Sequence, residues 1–115
     1  MPNKSKRLDN LFHALSDPTR RSVLERLSTG PASVGELARP FNMALPSLMQ
    51  HLDVLENCVL VRSRKVGRVR TYELAGKSLY AGERWFVRQR TLWEKRLNQL
   101  DGYLMDLKEK QNDGT

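Results

Sequence analysis

Residues 45–74 read LPSLMQHLDVLENCVLVRSRKVGRVRTYEL, and two different periodicities follow one another within that stretch. Leu48, Leu52 and Leu55 fall at the i, i+4, i+7 spacing that lines one face of a helix, so a helix is expected from about Leu45 to Asn57. Pro46 lies in its first turn, where a missing N–H costs little. After Val59-Leu60-Val61 the pattern changes. Residues 62–74 form two short runs that tend to alternate about Gly67, as the arms of a β-hairpin do.

Upstream, Ser33-Val34-Gly35-Glu36 has the form of a capping box, so a short helix containing Leu37 and Ala38 is expected, stopping at Pro40. This helix and the one at 45–57 make a helix-turn-helix unit, with the hairpin as its wing. Further upstream, Asp17 and Pro18 suit the N-cap and first position of a helix that runs through Val23, Leu24 and Leu27 to Gly30-Pro31. Leu8, Leu11, Phe12 and Leu15 mark an amphipathic helix before it. Downstream, no proline interrupts Leu79 to about Lys110, where Phe86, Trp93, Leu100 and Leu107 recur every seven residues, joined by Leu92, Leu97, Tyr103 and Leu104.

The expected architecture is therefore mainly α with a small β-hairpin, in the order α-α-α-α-β-β-α. It is a winged helix-turn-helix with a long C-terminal dimerisation helix, forming one domain over 1–115. Only residues 1–6 and 111–115 look loosely ordered.

Charge points to the partner. The 115 residues carry a net charge of +7. Residues 61–78 hold six basic residues and one acidic, which is five of those seven net charges. Arg62, Arg64, Lys65, Arg68 and Arg70 have no acid between them, an arrangement suited to phosphates or to a narrow minor groove. In the helix at 45–57, the three leucines face the core. Ser47 and Gln50 are left as hydrogen-bonding candidates at base edges, with Leu45 and Met49 as apolar contacts to thymine methyl groups. His51 is a candidate for a phosphate contact. The expected partner is double-stranded DNA.

The last helix carries more apolar surface than so small a domain can cover. Phe86, Trp93, Leu97, Leu100, Leu104 and Leu107, together with Leu8, Leu11 and Phe12 of the first helix, are expected to meet a second copy in a homodimer. The other expectations are negative. No stretch approaches the roughly 20 apolar residues that cross a bilayer, and no apolar segment of a secretion signal is present, so a cytoplasmic location is expected. The single cysteine, Cys58, and the two histidines, His13 and His51, show no metal-ligand spacing. No catalytic constellation or phosphate-binding glycine loop is found, so neither an enzyme nor a cofactor is expected.

Several segments carry a family likeness. In order, they are Phe12-His13-Ala14-Leu15-Ser16-Asp17-Pro18-Thr19-Arg20-Arg21, Gly35-Glu36-Leu37-Ala38, Met43-Ala44-Leu45-Pro46-Ser47-Leu48-Met49-Gln50-His51-Leu52 and Gly67-Arg68-Val69-Arg70-Thr71-Tyr72. Together they resemble the ArsR family of bacterial winged-helix repressors over about residues 8–108. The resemblance implies a dimeric repressor whose first and last helices form the subunit interface and whose fourth helix reads an operator; whether an inducer controls it is left open by the sequence. Metal-sensing members carry cysteines in the third helix, or His and acidic ligands in the last. Here the third helix reads Glu36-Leu37-Ala38-Arg39 and the last has neither His nor Cys, so the resemblance is to a metal-independent branch. Two positions depart from the family pattern. Ala44 replaces a capping serine and Met49 replaces a small polar residue, which shifts weight from base readout to phosphate binding and DNA shape. The alternative function is a winged-helix module for protein or RNA association, since a fold does not by itself fix function.

Overall fold

The break at Ser16-Asp17-Pro18 separates the first two helices in the computed structural model, which describes residues 4–113. Helix α1 spans Lys4–Leu15 and α2 spans Pro18–Leu27. Between them the Asp17 carboxylate accepts a hydrogen bond from Arg20 N at 3.0 Å, satisfying a backbone donor that the start of a helix otherwise leaves open. Helix α3, Val34–Ala38, forms behind both halves of the expected capping box. Glu36 N donates to Ser33 Oγ at 3.2 Å, and Ser33 N donates back to Glu36 Oε1 at 3.2 Å. Helix α4 occupies Leu45–Asn57, as its leucine spacing requires.

The sheet has one strand more than expected. Strands β2 (Val61–Val66) and β3 (Val69–Leu74) form the hairpin, and a two-residue strand β1 (Ala32–Ser33) pairs antiparallel with the other edge of β3, giving the order β1-β3-β2. Ala32 lies opposite Tyr72, and Ser33 opposite Thr71. Two residues cannot show an alternation, so β1 exists only because the free edge of β3 recruits it. At the hairpin tip Val66 pairs with Val69, leaving Gly67 and Arg68 as a two-residue loop. Gly67 has φ +64 and Arg68 does not share that sign, the pattern of a type II′ turn with glycine in its first central position.

The core joins Leu48, Leu52 and Leu55 of α4 to Leu11, Val23, Leu27, Leu37, Leu60, Val61 and Tyr72. Leu11, expected at a subunit interface, is only 3% exposed and is covered by its own chain, so it has almost no surface to offer a partner. Part of its cover is Gly82, where a Cβ would lie 2.6 Å from Leu11 Cδ2. Gly82 belongs to the last helix, α5, which spans Lys77–Asp113.

The chain divides into two compact units, one ending at Gly82 and the other beginning at Glu83. The first contains the core, the sheet and the start of α5. The second is the rest of α5, along which every side chain described as far as Gln111 is exposed except the half-buried Trp85 and Gln89. Residues 4–6 and 111–113, expected to be loosely ordered, are helical, because Lys4, Lys6 and Gln111 are good helix formers and each segment extends an existing nucleus. The rest of both expected tails, 1–3 and 114–115, lies outside the described residues. No helix among the described residues is long and apolar enough to cross a membrane.

Candidate nucleic-acid interface

Helix α4 presents its two faces as its sequence requires. Leu48, Leu52 and Leu55 are buried, while Leu45, Ser47 and Gln50 are exposed, Leu45 by 54%. Met49, expected to face bases, is half-buried and packs against the core, so its thioether has only part of its surface free. Ala44 supplies no side-chain cap, and the first turn is closed by backbone bonds from Ser47 N and Leu48 N to Ala44 O.

The other end of α4 stops in a Schellman motif. Leu60 N donates to Leu55 O at 3.0 Å, and Val59 N to Glu56 O at 3.0 Å, with Leu55 and Leu60 both buried. The motif needs a left-handed residue, and here it is Val59 at φ +57, a β-branched residue where glycine is usual. This turn delivers the chain into β2. Beside it, Cys58 Sγ donates to Asn10 O of α1 at 3.4 Å, and Ser78 Oγ donates to Cys58 O. Burial pushes the Cys58 thiol above its ordinary pKa, which disfavours the reactive thiolate.

His51 is not a free surface group. Arg20 NH1 lies 3.1 Å from His51 Nδ1, and because a guanidinium only donates, Nδ1 accepts and the ring proton sits on Nε2. Asp17 Oδ2 is 3.7 Å from the same nitrogen. Arg20, which is 8% exposed, also donates through Nε to Ala14 O at 2.8 Å and through NH2 to His13 O at 3.0 Å. Arg21 NH1 donates to Leu15 O at 2.7 Å. The Asp17-Pro18-Thr19-Arg20-Arg21 run thus does three things: Asp17 starts α2, the two arginines cap the carbonyl end of α1, and Arg20 holds α4 through His51. The sequence signal for this role was two arginines directly after a helix junction. Their partner His51 could not be inferred from spacing.

On the wing, cross-strand partners share a face. Val61 with Leu74, Ser63 with Tyr72 and Lys65 with Arg70 lie on the side of the core; Arg62 with Glu73, Arg64 with Thr71 and Val66 with Val69 lie on the other. All five basic residues are exposed, but they are not equivalent. Arg62 Nε meets Glu73 Oε1 at 2.9 Å, and Arg70 NH1 donates to Ser63 Oγ at 2.8 Å. Arg64, Lys65 and Arg68 make no side-chain hydrogen bond or ion pair among the described residues. The acid that neutralises Arg62 follows the basic run in sequence and reaches it only across the hairpin.

The residues expected at a subunit interface fall into both units. Leu8 and Phe12 on α1 are half-buried. Phe86, Trp93, Leu97, Leu100, Leu104 and Leu107 on α5 are exposed, Trp93 by 69%. Among the described residues no three His, Cys, Asp or Glu side chains group as metal ligands.

A model described as a helix-turn-helix domain matches residues 15–64. The HTH-type transcriptional regulator Rv2034 of Mycobacterium tuberculosis is 45% identical over 73 residues, covering 64% of this chain and 68% of that one. The transcriptional repressor SdpR of Bacillus subtilis is 32% identical over 80 residues, covering 70% of this chain and 89% of the repressor. Among solved structures, an ArsR family transcriptional regulator, RHA00566, superimposes with a TM-score of 0.77 at 50% identity, over 82% of this chain and 97% of that one.

Proposed function

This chain belongs to the ArsR family of winged helix-turn-helix transcriptional regulators, and we propose that within it the protein is a dimeric repressor of the metal-independent branch. Its relatives are DNA-binding regulators, not enzymes. One observation carries the finer reading: the uncommitted Arg64, Lys65 and Arg68 share a unit with the exposed Leu45, Ser47 and Gln50 of α4. Ser47 and Gln50 hydrogen-bond base edges in the major groove, and Leu45 meets a thymine methyl. The three basic side chains bind phosphates. His51 would offer its Nε2–H to a phosphate from a ring that Arg20 has already oriented.

The dimer reading rests on α5. Its Trp93, Leu97, Leu100, Leu104 and Leu107 follow a heptad pattern and are exposed in the single chain. Helices in proteins draw most of their stability from packing an apolar face, and a partner would cover this one. A second copy would supply the same seam and, with it, a second recognition helix for a two-fold site. One winged-helix domain then serves both DNA binding and dimerisation in the cytoplasm. No cofactor is required, and an inducer would act by changing the dimer's affinity for DNA.

Gel shift of the full chain against DNA from upstream of its own gene tests this. Binding tighter than to random duplex at physiological salt is expected. Equal binding to both would remove the repressor reading. Arg68→Ala should weaken every duplex and lower the slope of log K against log salt by about 0.9, the share of one phosphate contact.

A further inference from the structure

The basic residues of the wing divide by what they already hold. Arg70 stands directly across from Lys65, and two like charges in that position repel. Arg70 turns instead to Ser63, donating from NH1 to Oγ at 2.8 Å, and Ser63 Oγ donates in turn to Glu56 Oε1 at 2.8 Å. The chemistry sets the direction of this chain. A guanidinium has only protons to give and an ionised carboxylate only lone pairs, so the hydroxyl must pass its one proton to Glu56 and accept from Arg70. Ser63 is half-buried opposite the buried Tyr72, so the links lie at the edge of the core and not at the wing tip. They join both strands of the hairpin to the last turn of α4.

We propose that Arg70 is a positioning residue and not a phosphate anchor: through Ser63 it ties the wing to Glu56 of the recognition helix and sets the spacing between the two on DNA. The proposal rests on the DNA-binding reading above. Phosphate binding at the wing is then left to Arg64, Lys65 and Arg68. A guanidinium held away from the DNA by Ser63 and Glu56 releases few counterions on binding, whereas an arginine that meets a phosphate releases nearly one. A positioning group also acts differently on different duplexes. It affects the selected sequence, where base edges and phosphates must be met together, more than random DNA, where phosphates alone are met.

The test uses the full chain and two labelled duplexes, one recovered from a randomised pool by wild-type binding and one of random sequence, titrated by fluorescence anisotropy over a range of salt. For Arg70→Ala, the ratio of selected to random affinity should fall about fivefold while the salt slope stays at the wild-type value. Arg68→Ala should lower the slope by about 0.9 and leave the ratio unchanged. Ser63→Ala should match Arg70→Ala, and the double variant should lose no more than either single one, because all three break the same chain. Glu56→Gln, which keeps an acceptor for the serine, should retain more of the ratio than Glu56→Ala. If Ser63→Ala does not fold, as judged by circular dichroism, the Arg70 and Glu56 variants carry the comparison. A slope reduced by Arg70→Ala, or additive losses in the double variant, would overturn the proposal while leaving the DNA-binding reading intact. Recovery of no preferred duplex by the wild type would remove both.

Discussion

Replacing Arg20 by methionine keeps the aliphatic bulk of a buried side chain and removes three donors, at 2.8 Å to Ala14 O, 3.0 Å to His13 O and 3.1 Å to His51 Nδ1. Their losses are unequal. His13 O keeps the hydrogen bonds from Ser16 N and Ser16 Oγ, and the half-buried His51 can turn toward water. Ala14 O is buried at the end of α1, where it accepts from Arg20 Nε, and an orphaned buried acceptor costs about 1–3 kcal/mol. Loss of the cation at the carbonyl end of α1 adds about 0.3–1 kcal/mol. A destabilisation of about 3 kcal/mol follows, which for a domain of this size lowers the melting temperature by roughly 10–20 °C. Arg20→Lys should recover about 1 kcal/mol, because an ammonium restores the charge but cannot reach three acceptors in a plane. Thermal and urea unfolding followed by far-UV circular dichroism measures both variants. Melting of Arg20→Met within about 3 °C of wild type, less than 1 kcal/mol, would refute the assignment of Arg20 as the tie between the α1–α2 junction and α4.

Three further outcomes follow from particular residues. Val59→Gly should stabilise the protein by about 0.5–1 kcal/mol, since relief of left-handed strain exceeds the entropic cost of glycine at an exposed position; a lower melting temperature would contradict the Schellman geometry. The Arg20 backbone N–H holds the Asp17 carboxyl below its ordinary pKa. The carboxylate cap therefore contributes above the unfolded pKa and is lost as pH falls through the folded one. Asp17→Ala should cost about 1 kcal/mol at neutral pH, and urea midpoints of variant and wild type should converge in acid; a gap that does not narrow refutes the cap. Finally, Trp93→Glu together with Leu97→Glu should yield a monomer in sedimentation at micromolar concentration, whereas a persistent dimer would take the heptad seam of α5 out of the interface.

Much of the fold can be read along the chain because the forces involved are local. Leucine spacing assigned the inner face of α4, Asp17 and Ser33 announced the helices they cap, and Gly67 marked the turn of the wing. Each depends on residues no more than two helical turns apart. Strand β1 has no signature in the sequence because two residues carry no period, and the burial of Leu11 by its own chain has none because periodicity shows that a face is apolar, not what covers it.

By itself, then, the sequence determined the order of helices and hairpin, the basic character of the wing and the membership of a family of regulators. The tertiary structure decided which charges are free. Arg62 meets Glu73 and Arg70 reaches Glu56 through Ser63 only once the register of the hairpin is set, and Arg20 reaches His51 only when α2 and α4 pack on one core. A charge counts equally wherever it stands in a sequence, whereas its availability to DNA depends on the partner that folding places beside it.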